Sequence, residues 1–138
     1  MSNINVASIN INSDINTIYN FMLDMNKINL WSLGIKWNNN NNNSEIIKGI
    51  SRYDNSISYL KITTNKNIQQ IKYWLGENIN KLYPRIYVYI IKTKKIDVNK
   101  LLIVSYRTQN MNNERWNKLK ELHIKEVKII KNLIENDN

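Results

Sequence analysis

Apolar and polar positions along the chain divide it into a strand, a short helical stretch, a run of strands and a long terminal helix. Ile4 to Ile11 is rich in β-branched residues and is expected to be extended. Ser13 or Asp14 follows and can cap a helix by accepting a backbone N–H. In "DINTIYNFMLDM", Ile15, Ile18, Tyr19, Met22 and Met25 recur at helical spacing, which leaves Asn16 and Asn20 on the exposed side. "NKINLWSLGIKW" has mixed periodicity and breaks at Gly34, so it predicts one more helical turn before a strand carrying Trp37.

Asn38 to Asn43 is a polar tract that cannot bury apolar surface, and it is expected at a loop tip. "EIIKGISRY" and "SISYLKITT" read as two strands joined at Asp54 and Asn55, residues that tolerate the left-handed backbone of a tight turn. "NIQQIKYWL" reads as another strand, "GENINKLYP" as a connection, "RIYVYIIKT" as the next strand and "KLLIVSYRT" as the last, with a turn over Lys94 to Asn99. From Asn112 the pattern is helical, with Asn112 or Asn113 as cap and Glu114 at the positive end of the dipole. Trp116, Leu119, His123, Val127, Ile130 and Ile134 share one face, and Lys118, Lys120, Lys125, Lys128 and Lys131 occupy much of the rest. A helix this long with so broad an apolar stripe needs an equally extended partner, and the antiparallel sheet is the candidate. The predicted order is a strand, one or two short helices, about five strands and a long helix.

Composition narrows the setting. The 138 residues are the size of one domain, so residues 1–138 are taken as a single unit with a real core. The absence of cysteine removes disulfides, zinc-thiolate sites and thiol nucleophiles, and fits a cytoplasmic address. No start resembles a signal peptide and no apolar run approaches a membrane span. The net charge of +9 raises nucleic acid or an anionic membrane surface as partners. Its lysines are nevertheless dispersed along the chain, and the abundance of Asn, Ile and Lys is the signature of AT-rich codons, which argues against a nucleic-acid footprint. Nothing in the sequence fixes an oligomeric state.

The order of elements resembles the helix-grip fold of the START-like, polyketide cyclase-like (SRPBCC) superfamily. The stretches that carry the likeness are "SININSDINTIYNFMLDMNKINLW", "YWLGENINKLYPRIYVYII", "SYRTQNMNNERW" and "ELHIKEVKIIKNLIE", the last three similar to those of a small bacterial subgroup. The resemblance implies an α+β fold in which a curved antiparallel sheet wraps around the C-terminal helix and encloses an internal cavity. It also implies binding of a hydrophobic or amphipathic small molecule, such as a lipid, polyketide or isoprenoid-like compound. The alternative within the superfamily is a cofactor-free cyclase or dehydratase using acid–base residues.

Candidate site residues follow from that frame. Alternate residues of the strand after Pro84 face one way, so either Arg85, Tyr87 and Tyr89 or Ile86, Val88 and Ile90 line the cavity. Inward tyrosines would combine apolar walls with polar anchors; outward ones would stack across strands. His123, the single histidine, lies on the apolar stripe of the last helix, where an imidazole can bond a ligand or move a proton; a packed, hydrogen-bonded histidine is the alternative. Glu126 is expected to face solvent, and the sequence offers His123 no evident carboxylate partner. Arg85 and Arg107 can hold a ligand carboxylate or phosphate through the planar guanidinium, or simply lie at the surface. Trp31, Trp37, Trp74 and Trp116 are candidates for a cavity wall or for plain core. There is no Gly-rich phosphate loop, paired-histidine metal motif or nucleophile elbow, so neither metal nor nucleotide cofactor is expected.

Overall fold

The computed structural model describes residues 2–38 and 45–136. Strand β1 (Ile4–Ile11) leads into helix α1 (Ile15–Leu23), a single 3-10 turn, and the short helix α2 (Ile28–Trp31). Strands β2 (Ile35–Asn38), β3 (Ile46–Ser51), β4 (Ile57–Asn65), β5 (Gln70–Asn78), β6 (Lys81–Lys92) and β7 (Asn99–Tyr106) follow, and helix α3 (Asn113–Asn136) ends the fold. All seven strands form one antiparallel sheet in the order β1-β7-β6-β5-β4-β3-β2, curled into a half-barrel against α3. The architecture is α+β and of the helix-grip type.

Local chemistry accounts for the element ends. Asp14 caps α1, its Oδ1 accepting the Thr17 N–H at 2.7 Å. Asn112 does the same for α3 through the Arg115 N–H at 2.8 Å. Asn55 turns the β3–β4 hairpin with φ of 57°, and the Asp54 Oδ1 beside it accepts from both the amide and the hydroxyl of Ser56. The expectation of a loop tip for the asparagine tract lies outside the described residues, apart from Asn38, which closes β2 opposite Lys48.

Two expectations are corrected. The stretch read as a connection from Gly76 to Pro84 is mostly strand, because β5 runs on to Asn78 and β6 begins at Lys81, leaving Ile79 and Asn80 as the turn. Gly76 and Pro84 look like breakers in sequence, yet Pro84 sits beside a register shift, where a missing N–H disturbs the ladder least. Conversely, Lys66–Ile68 form a 3-10 turn, and Gln69 (φ 46°) redirects the chain before β5 starts.

The core fills the concave side of the sheet at its β1, β7 and β6 end. Ala7, Ile11, Leu101, Ile103, Val88 and Ile90 are buried there against α1 and the C-terminal half of α3, where Val127, Ile130 and Ile134 pack. Further along the sheet α3 no longer rests on the strands; its N-terminal half stands over them and leaves a space between.

Candidate functional site

That space is an open cleft of about 840 Å³. Its floor is the concave face of β3 to β7, one wall is the α2–β2 corner, and its roof is the N-terminal half of α3. The apolar lining includes Ile28, Trp31, Trp37, Leu60, Leu75 and Ile86. Trp37 reaches it because its strand partner is Gly49, where an added Cβ would come within 2.5 Å of the indole. A side chain at position 49 would push the ring off the sheet.

Polar groups converge at one end of this cleft. His123 Nδ1 lies 2.6 Å from Glu126 Oε1, and both side chains are buried. A carboxylate only accepts, so Nδ1–H donates; in the neutral form of the ring Nε2 is then an acceptor. The second carboxylate oxygen, Oε2, accepts the Leu33 N–H at 2.8 Å from the chain just after α2. Glu126 is thus buried rather than solvent-facing, because three residues along an α-helix returns to the same face and two donors await the carboxylate there. Tyr73, 2% exposed, donates its hydroxyl to the Met22 carbonyl at 2.5 Å. Burial, and secondarily the charge of Glu126, push the Tyr73 phenol well above its ordinary range.

Two buried polar atoms of the lining have no protein partner: His123 Nε2 and Ser105 Oγ. Each leaves hydrogen-bonding capacity unused at a depth where that is costly. Ser105 lies on β7 opposite Ile86, so its hydroxyl is on the same concave face as the apolar floor.

The candidate residues named from the sequence separate into two groups. Trp31, Trp37, Arg85 and His123 line the cleft. Tyr87 and Tyr89 are on the convex face, where Tyr87 meets Tyr106 edge to face at 5.5 Å and Tyr89 accepts from Gln70. Trp74 shares that face, its indole donating to Thr63 at 2.7 Å. Trp116 is fully buried within the fold, and Arg107 braces the entry to α3 by donating to the Met111 carbonyl and to Asn113. Simple alternation would have grouped Arg85 with the tyrosines. A bulge breaks it: Tyr73 pairs with Ile86 and Trp74 with Pro84, so Arg85 is an extra residue and joins Ile86 on the cleft side. Tyr73 and Ser105 are not among the residues named from the sequence, which places Glu126 on the solvent side. Tyr73 alternates in phase with Ile71 and Leu75, and Glu126 is three residues from His123; those are the signals that point to them.

No protein-family model matches the chain, and no curated protein sequence matches it. Solved structures do. A START superfamily protein from Mycobacterium smegmatis is similar with a TM-score of 0.65 at 11% identity, over 99% of this chain and all of the other. The Aha1 dimer protein from Colwellia psychrerythraea is similar with a TM-score of 0.67 at 12% identity, over 98% and 97% of the two chains. DynU16, a protein in the dynemicin biosynthetic locus, is similar with a TM-score of 0.64 at 6% identity, over 100% of this chain and 49% of the other. The fold is therefore START-like. At these identities the likeness speaks to architecture and not to activity. No helix among the described residues is long and apolar enough to cross a membrane.

Proposed function

We propose that this protein binds a hydrophobic or amphipathic small molecule in the cleft beneath α3. The observation that carries the reading is the combination of an apolar lining with buried polar atoms that find no partner in the chain, Nε2 of His123 and Oγ of Ser105. Ligand sites are typically concave, mostly apolar and supplied with a few oriented polar groups. The START-like neighbours support the same reading by architecture.

The test is titration with Nile red, an uncharged apolar fluorophore. The wild type is expected to bind it saturably at one site, and Leu119→Glu, which sets a carboxylate into the roof at a half-buried position, is expected to abolish that binding. Binding unchanged by Leu119→Glu would place the dye elsewhere and remove the proposal.

The His123–Glu126 pair favours a second reading, a cofactor-free acid–base enzyme of the cyclase or dehydratase kind. The pair fixes the imidazole of a cleft-lining histidine and leaves its Nε2 without a protein partner, as a general base requires. His123→Ala separates the two readings, since a binding protein keeps its ligand affinity when apolar contacts dominate, whereas an acid–base enzyme loses turnover.

A further inference from the structure

The charged side chains around the cleft are almost all matched. Arg115 pairs with Asp54 at 3.0 Å and Lys118 with Glu121 at 3.7 Å, both pairs at the exposed mouth. The buried Glu126 is held by His123 and the Leu33 N–H. Glu114 belongs to the exposed first turn of α3. Arg85 is different: it is half-buried on the cleft floor, with no ion pair or side-chain hydrogen bond among the described residues.

Its surroundings make that costly. Burial disfavours the charged guanidinium; Glu77 offsets this only from beyond ion-pair distance, and the positive Arg115 on the roof opposes it. The bulge is what turns Arg85 inward, so an unstrained alternation would have spared the cleft this charge. One residue away, Ile86 pairs with Ser105, whose buried hydroxyl also lacks a partner. An unpaired five-donor guanidinium and an unused hydroxyl beside an apolar wall form a complement to an anion carried on an apolar body.

We infer that the ligand of this cleft is an amphipathic carboxylate, its headgroup held by the Arg85 guanidinium with help from Ser105 and its apolar body lying along Trp31, Trp37 and Leu60. This rests on the cleft being a ligand site. A guanidinium donates two parallel hydrogen bonds to a carboxylate, so the planar fork and not the charge alone gives the preference.

The experiment is displacement of Nile red by decanoate and by decanol, which share a chain and differ in the headgroup. Decanoate is expected to compete at roughly ten-fold lower concentration or better, the order of a charge-assisted hydrogen bond in a partly buried site. Arg85→Met is expected to bring the two competitors together, Arg85→Lys to reduce the preference part-way, and Lys100→Met, on the exposed convex face, to leave it intact. Arg85→Lys keeps the charge and serves where Arg85→Met does not fold. Equal competition in the wild type, or a preference that survives both Arg85 substitutions, would overturn the inference while leaving the cleft as a binding site. Failure of the wild type to bind Nile red would remove the cleft reading itself, and the inference with it.

Discussion

The two halves of α3 are built for different ends. From Val127 to Ile134 the helix presents only aliphatic side chains to β1 and β7, and its polar groups tie it down at the edge. Lys131 donates to the Asn10 carbonyl at 2.7 Å, and Glu135 accepts the Asn12 N–H at 2.7 Å. From Asn113 to Glu126 the same helix carries Trp116, a His–Glu pair and a mouth of ion pairs, and it stands off the sheet. One half closes a densely packed aliphatic core; the other carries an ionisable pair and covers a cleft whose lining includes the unpartnered His123 Nε2 and Ser105 Oγ. Stability alone does not select the second arrangement, since an unpartnered buried hydroxyl or imidazole nitrogen lowers it. The contrast teaches that the site is recognised by the open space under α3 together with the polar groups set in its apolar lining.

The contrast is broken most severely at the closed end. Ile130→Ala, at a fully buried position, is expected to cost about 2–5 kcal/mol in chemical denaturation, while Leu119→Ala, half-buried over the cleft, costs about 1 kcal/mol or less because no dense packing surrounds it. Equal losses would mean the cleft is packed like the core.

Next in size is Glu126→Ala. It leaves the Leu33 N–H and His123 Nδ1–H without their acceptor, for an expected loss of about 1–3 kcal/mol for each stranded group, and Glu126→Gln should lose less because its amide oxygen still accepts. Equilibrium urea unfolding of the pair of variants checks the order.

Tyr73 gives a pH signature. Its folded-state phenol titrates above its unfolded value of 10.0, so both states are protonated below that pH and nothing is lost there. Above it the unfolded chain releases a proton that the folded one retains, so stability falls with rising pH. Tyr73→Phe is expected to cost about 0.5–1.5 kcal/mol at neutral pH for the bond to Met22, and to flatten the alkaline decline seen in thermal melts.

Ser105→Ala sits at the bottom of the scale. With no partner to strand and an unpartnered buried hydroxyl removed, it should leave stability unchanged or raise it, in contrast to Glu126→Ala. A loss of 2 kcal/mol, roughly that of breaking a good hydrogen bond, would mean that the hydroxyl is matched after all.

Much of this fold could be read from the chain because its strands and helices obey simple periods. Ile15, Ile18 and Met22 mark α1, and the stripe from Trp116 to Ile134 marks α3, at positions the structure buries or half-buries. The site was less legible, for two physical reasons. Alternation along β6 predicts faces only where the ladder is regular, and the bulge at Arg85 reverses the pattern at the residue that matters most. Glu126 looked exposed because a carboxylate has a strong preference for water; the Leu33 N–H that compensates its burial comes from a segment 93 residues away in sequence, and nothing local announces it. Ser105, set in the apolar run before Tyr106, has no motif either; only its missing partner marks it.

The four tryptophans supply the most direct test of the cleft. Trp31 and Trp37 line it, whereas Trp74 lies on the convex face and Trp116 is sealed within the fold. In a ¹⁵N-labelled sample each indole N–H gives its own resonance, and decanoate can be titrated while all four are watched. The account predicts saturable shifts at Trp31 and Trp37 with Trp74 unmoved; shifts at Trp74 alone, or at none of the four, would contradict it.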